Sequence, residues 1–330
     1  MTRATGVGSM PGTEYAEATR LVLGELADLP HLPELPARGA HADMTGRALA
    51  VLADLDADLQ PAGWRLTGGA GSAGADLRRA RSLLAQDLDV FEELAEGYTG
   101  QLKIQVTGPW TLAATVEKPR GDRLLSDYGA RHELAEALAE GLRSHVTDVQ
   151  RRIPGAELTV QVDEPALPAV LSGSVPTASG FHRHRHVEPA AASSALEPVL
   201  GAIAASGARS VVHCCASEVP VALLVQAGAD GVSVDLDVLA PAAFDPVASL
   251  LETGAPVHLG VVPSTGSAAG PPSDRDVTQR VLRFLDMLGL DPAAVGSSLV
   301  VTPACGLAGA SPAYARTVLG LTRAVAAGLS

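Results

Sequence analysis

The stretch SVVHCCASEV, Ser210 to Val219, decides how this chain is read. It opens as a short β-branched run, the form of a strand buried on both faces, and stops at a histidine followed by two adjacent cysteines. Six further apolar runs without evident alternation have the same form: ATGVGS (4–9), LKIQVTG (102–108), LTVQVDE (158–164), GVSVDL (231–236), VHLGVV (257–262) and SLVVTPA (298–304). Helical patterns separate them, and strands that alternate with helices pair in parallel. An eighth strand is expected through LPHLPELP (29–36), where three prolines oppose strand chemistry, so this assignment rests on the count of the others. The expected fold class is α/β, a (β/α)8 TIM barrel. Residues 1–330 form one domain, with GWRLT (63–67) as a hairpin outside the barrel.

Two covering helices are legible in detail. From Ala130 onward, Leu134, Leu138, Leu142, Val146 and Val149 recur on one face, while Glu133, Glu136, Glu140 and Arg143 fall on the other. His132 and His145 lie on this charged helix and read as surface residues. The second helix starts at SDRD (273–276), with Ser273 and Asp276 as a capping-box-like pair, and runs through Val277, Val281, Leu285 and Leu288 to a stop at Gly289. TGGAGSAGAD (67–76) and STGSAAGPPSD (264–274) read as loops. Within the first, GAGSAG (Gly69–Gly74) fits G-x-G-x-x-G literally but lacks the full buried strand that a dinucleotide site needs ahead of it.

Composition excludes several classes of partner. Hydrophobic residues make up 47% of the chain, enough for a large core, and only 3% are aromatic, which favours helices packed through small side chains over an aromatic-rich sandwich. A formal charge of −13 opposes binding to nucleic acid or to anionic membranes, both of which require clustered Lys and Arg. The N-terminus MTRATGVGSMPG has no apolar signal region and no stretch reads as a membrane span, so a cytoplasmic location is expected. In that reducing compartment three cysteines are no disulfide framework.

In a barrel, chemistry gathers where the strands end. Ser9, Glu34, Thr107, Asp163 with Glu164, His213 with Cys215, Asp235, Ser264 and Cys305 all fall at such ends. His213 and Cys215 are two apart on a strand and point the same way, while Cys214 points to the opposite face and reads as packing. With Cys305 and Asp235 they supply four nitrogen, sulfur and oxygen donors, which suit tetrahedral zinc at about 2.0–2.3 Å. The competing reading is a set of small buried cysteines beside a satisfied core histidine. In QVDEPAL (161–167), Asp163 and Glu164 could bind an ammonium group or act as a base; equally, they could place negative charge at a helix N-terminus. HRHRH (182–186) puts His182, His184 and His186 on one face if extended. The interleaved arginines repel a cation, and a solvated loop or lid is expected there.

GVGSMP, VTGPWTL, QVDEPAL, VHCCASE, GVSVDL and TPACGL occur in the order and approximate spacing of the C-terminal barrel of cobalamin-independent methionine synthase, which the chain resembles over nearly its whole length. The resemblance is to that one barrel only, so no counterpart of the second, N-terminal barrel of that family's long enzymes is expected. The resemblance implies zinc held by His213, Cys215, Asp235 and Cys305. It also implies homocysteine held by Val7, Gly8 and Ser9, by Glu34, and by Asp163, which is thereby also the catalytic candidate. The implied activity is a zinc-dependent methyl transfer to the homocysteine thiol, forming methionine. The implied donor is 5-methyltetrahydrofolate or, as for single-barrel relatives, a methylcorrinoid protein.

Three positions depart from the family pattern. Asp235 stands where the family has Glu and is one methylene shorter. GVVPSTG (260–266) lacks the histidine of the family's D-I-H-S-P, and His258 earlier on the strand is no clear substitute. Ala308 follows the C-G-L where the family has Lys-Thr-Arg. These changes cluster on the methyl-donor side. They leave two other readings open: an enzyme like uroporphyrinogen decarboxylase, which shares the barrel without needing the zinc ligands, and a relative that binds thiol and zinc without turnover.

Overall fold

Polar and apolar side chains alternate along the two longest strands, and that alternation shapes the molecule. The computed structural model describes residues 1–67, 74–266 and 270–329. Seven parallel strands form one curled sheet: β1 (Arg3–Ala4), β4 (Gly100–Thr107), β5 (Ala156–Asp163), β6 (Arg209–Cys214), β7 (Gly231–Asp235), β8 (Val257–Val262) and β9 (Leu299–Pro303), in the order β1-β9-β8-β7-β6-β5-β4. The intervening β2 (Asp56–Gln60) and β3 (Gly63–Thr67) pair antiparallel as a separate hairpin, as expected for GWRLT. All seven sheet strands coincide with runs marked in the sequence, although the first is shorter than expected: past Ala4 the chain stays in register through Thr5 N–H to Val301 O at 3.0 Å.

The segment 29–36 contains no regular strand, because Pro30, Pro33 and Pro36 have no N–H to give a ladder. It nevertheless spans the two edges of the sheet. Leu32 N–H donates to Lys103 O at 2.8 Å and Lys103 N–H to Pro30 O at 2.9 Å on the β4 side, while Met10 N–H donates to Glu34 O at 2.8 Å and Glu34 N–H to Gly8 O at 3.2 Å on the β1 side. The residues between the prolines make these contacts.

Both faces of the sheet are buried, but they differ in kind, which corrects the expectation of strands without alternation. On β4, Leu102, Ile104 and Val106 pack outward against helices, whereas Lys103, Gln105 and Thr107 are buried on the inner face; Gln161 and Asp163 do the same on β5. The outward face joins one continuous apolar cluster running from Ala4 to Leu329. Burying each of its Val and Leu side chains contributes about 1.5–3 kcal/mol. The helix Tyr128–Arg152 presents Leu134, Leu138, Leu142, Val146 and Val149 to this core and starts at an Asp127 cap. His132 is exposed, but His145 is partly buried, and burial together with Arg47 holds its imidazole down to about 4. The reading of His145 as a surface residue is thereby corrected: the helix turns that side toward Arg47. The helix Asp274–Met287 is capped by Ser273, whose hydroxyl accepts from Asp276 N–H at 3.1 Å, and Gly289 follows in the left-handed region at φ 72°. No helix among the described residues is long and apolar enough to cross a membrane.

Candidate metal and substrate site

Strand register places the first part of the site. In the parallel ladder Asp163 pairs with His213, His213 with Ser233, and Ser233 with His258, so four polar side chains stand abreast on β5 to β8. His213 Nδ1 lies 2.9 Å from Ser233 Oγ. This contact occupies one ring nitrogen and orients the other, as residues behind metal-binding histidines commonly do.

Just past β6, Cys215 meets Cys305 from the loop after β9, with the sulfurs 3.3 Å apart. Ligand atoms of His213, Cys215 and Cys305 all lie within 4.8 Å of one another, the one such metal-capable group among the described residues. The two thiols behave as a pair. Hydrogen bonds from Cys215 and His213 lower the pKa of Cys305, and the same contact, together with burial, raises that of Cys215, so the pair favours a single negative charge. Cys214 is fully buried in the apolar cluster, and burial pushes its thiol up to about 12, as befits a packing residue. One nitrogen and two sulfurs, one sulfur readily ionised, form a donor set suited to zinc.

Asp235 is outside this group. It ends β7 one residue past Val234, the partner of Cys214, and pairs with Gly260 of β8. Its carboxylate accepts from Asp237 N–H at 2.9 Å, and burial raises its pKa.

Asp163 and Glu164 divide the two roles considered for them. Glu164 is fully buried and turned away from the sheet interior, where it accepts from Trp110 N–H at 2.8 Å and from Thr111 N–H and Thr111 Oγ–H at 2.7 Å each. It therefore caps the helix Pro109–Thr115. Gly108 is required there, since a Cβ would stand 2.4 Å from Glu164 Oε1. Asp163 faces inward, and its Oδ1 accepts from Gln161 Nε2 at 2.7 Å. Burial raises its pKa against the opposing pull of His213.

The remaining candidates lie nearby. Glu34 is buried, with Oε1 3.3 Å from Arg47 Nε; Arg47 in turn reaches Asp87 at 2.9 Å, and Arg38 pairs with both oxygens of Asp87 at 2.8 and 2.6 Å. Val7 O accepts from Lys103 Nζ at 2.7 Å and from Gln161 Nε2 at 2.9 Å. Ser9 O accepts from Leu307 N–H at 2.7 Å, which ties the 7–9 stretch to the Cys305 loop. Thr107 is used structurally, donating to Met44 O at 2.7 Å, and Ser264 is half-buried in a turn.

Lys103, Gln161, Arg47 and Asp87 were not singled out from sequence. For the first two a signal existed, namely the two-residue alternation in LKIQVT and LTVQVD. For Arg47 and Asp87, charged residues within helical stretches, none did.

The three histidines of HRHRH do not converge. His184 is buried, 3.4 Å from Asp122 Oδ1, His186 pairs with Glu188 at 2.8 Å, and His182 is exposed. The expected solvated loop is thus anchored at its centre. Of the GAGSAG motif, Gly69 to Ala73 lie outside the described residues.

Comparison with known proteins bears on the fold and the family. A B12-independent methionine synthase from Shewanella sp. W3-18-1, solved in complex with selenomethionine, superposes with a TM-score of 0.64 at 13% identity, covering 100% of this chain and 98% of that one. A family 2 AP endonuclease from Brucella melitensis follows at a TM-score of 0.45 and 12% identity, covering 93% of this chain and 95% of the other, too distant to bear on function. No curated protein sequence matches. The family model described as cobalamin-independent synthase, catalytic domain, matches residues 81–328, three quarters of the chain. The chain therefore belongs to the family of cobalamin-independent synthase catalytic domains.

Proposed function

We propose that this chain is a zinc-dependent methyltransferase acting on the thiol of homocysteine, within a single (β/α)8-like domain in which the 29–36 segment serves as the eighth stave. The observation that carries the reading is the convergence of His213, Cys215 and Cys305 within 4.8 Å, on a sheet whose register sets Asp163 beside His213. His213 and the two cysteines would hold the ion, and Asp235 would supply a fourth ligand, an oxygen, directly or through water. When bound, zinc acidifies a coordinated thiol, so that a thiolate nucleophile is available at neutral pH.

The protein side chains bind and orient the substrate. Asp163 has Oδ1 engaged by Gln161, which leaves Oδ2 to accept from the substrate ammonium; Glu34, with Oε1 facing Arg47, offers Oε2 to the same group. The Val7 carbonyl already accepts two hydrogen bonds and is saturated, so contact along that stretch falls to Gly8 and the Ser9 hydroxyl. The proposed location is cytoplasmic. The donor is a methylated folate or a methylcorrinoid protein, approaching from the β8 side. There, a cleft of about 510 Å³ opens between Pro263, Pro271, Arg280 and Tyr314.

Two measurements test this. Protein purified without added zinc is expected to carry about one equivalent of the metal, and Cys305→Ser to lose it. Less than half an equivalent in the wild type, or unchanged zinc in the variant, refutes the metal site. Methionine formation from homocysteine is then followed with 5-methyltetrahydrofolate and with a methylated corrinoid protein. Product with either donor supports catalysis. Zinc and thiol binding without product from either supports the second reading, a binder without turnover, which the absence of histidine from residues 260–266 favours.

A further inference from the structure

Lys103 is fully buried on the inner face of the sheet, an expensive place for an ammonium group, and the contacts it makes there are specific. Nζ donates to Val7 O and to Gln161 Oε1, both at 2.7 Å. Gln161 Nε2 donates onward to Val7 O at 2.9 Å and to Asp163 Oδ1 at 2.7 Å. The Lys103 backbone meanwhile pairs with Pro30 and Leu32, in the segment that carries Glu34. One residue thus joins the three stretches that hold the candidate substrate contacts.

The chemistry of the amide makes this more than a structural brace. Burial pulls the Lys103 pKa down to about 7, with Asp163 and Glu34 opposing; as the ammonium it can only donate, so it meets the oxygen side of Gln161 while the NH2 turns to Asp163. Val7 O and Asp163 accept on the NH2 side, and Lys103 completes the lock by donating to the oxygen; without it Gln161 Oε1 is left buried with no donor, which loosens the amide that holds Asp163. Burial and the Lys103 charge keep the nearby imidazoles of His31 and His258 neutral, and a neutral imidazole both donates and accepts, so neither imposes a single amide orientation as an ammonium does.

We propose that Lys103 is a positioning residue that, by locking the amide orientation of Gln161, aims the Asp163 carboxylate at the amino group of the thiol substrate. This rests on the reading of the site given above.

The test compares equilibrium binding of homocysteine with that of 4-mercaptobutyrate, which keeps the thiol and carboxylate but lacks the amino group, using zinc-loaded protein. Wild type is expected to prefer homocysteine. Lys103→Met is expected to weaken homocysteine binding about tenfold or more, with 4-mercaptobutyrate affinity changed less than about twofold and zinc content retained. Gln161→Met should reproduce this selective loss, and the double variant should be no worse than either single one, since both act through one contact chain. Gln161→Met also serves should Lys103→Met fail to fold. Equal losses for both ligands, or no loss in either variant, overturn the proposal. Zinc-loaded wild type without preference for homocysteine refutes the substrate reading itself, and Lys103 falls with it; this outcome is distinguishable because it appears before any substitution.

Discussion

Asp163 and Glu164 are adjacent acids at one strand end, yet opposite orientation gives them different chemistry. Asp163 faces the site, whereas Glu164 is enclosed by Trp110 and Thr111, and burial holds its carboxyl up to about 7 from an ordinary 4.5 despite three donors. The folded protein therefore keeps this proton over a range where an unfolded chain releases it. Between pH 4.5 and about 7 the native state binds more protons, so stability falls as pH rises through that window. The size of this contribution is on the order of 3 kcal/mol. Denaturant midpoints measured across the window should show the decline in wild type and a flatter profile in Glu164→Gln; an unchanged slope would sink the assignment. At the metal, His213→Ala is expected to lower zinc occupancy at least as far as Cys305→Ser, read by metal analysis after dialysis, because it removes the only nitrogen donor of the cluster.

Among the elements, the loop after β9 and the stretch after β1 depend on one glycine. A Cβ on Gly306 would lie 2.1 Å from Ser9 Oγ. Gly306→Ala should therefore rotate the Ser9 hydroxyl away and weaken homocysteine binding, and Ser9→Ala in the same protein should relieve the clash without restoring affinity. Titration calorimetry on the wild type and the two variants checks this, and undiminished binding by Gly306→Ala would count against any substrate role for Ser9. The helix Ala75–Leu94 buries Asp87 between Arg38 and Arg47. Asp87→Ala leaves two buried guanidinium groups without their shared partner and should cost about 3–5 kcal/mol, read from denaturation midpoints. A cost below about 1 kcal/mol would mean that the arginines find other partners. The strands of β4 to β9 were legible because local hydrophobic runs specify them. The 29–36 segment was not legible as a pairing element, since its prolines hide the backbone contacts made by the residues between them.

Across the whole molecule, the sheet does not need the metal to hold its register. Parallel ladders and the apolar cluster from Ala4 to Leu329 fix β6 and β9, and with them the separation of Cys215 and Cys305. Chelation is therefore expected to leave the far-ultraviolet dichroism unchanged and to lower the melting temperature by a few degrees, while thiol binding is lost. Loss of helical signal on chelation would instead make the metal a folding element.

The sequence by itself determined the parallel α/β architecture, the hairpin, and the identity of the residues whose chemistry suits a metal, because periodicity and residue type are local properties. Cys214 and Cys215 were distinguishable on the same ground, two successive side chains on a strand pointing to opposite faces. Tertiary structure alone decided that Glu164 caps a helix while Asp163 faces the sheet interior, that His145 is drawn toward Arg47, and that Lys103, Gln161 and Asp163 form one hydrogen-bonded chain. Each of these depends on which distant strand or helix supplies the neighbouring donor, and sheet register sets that pairing across separations that no local pattern encodes.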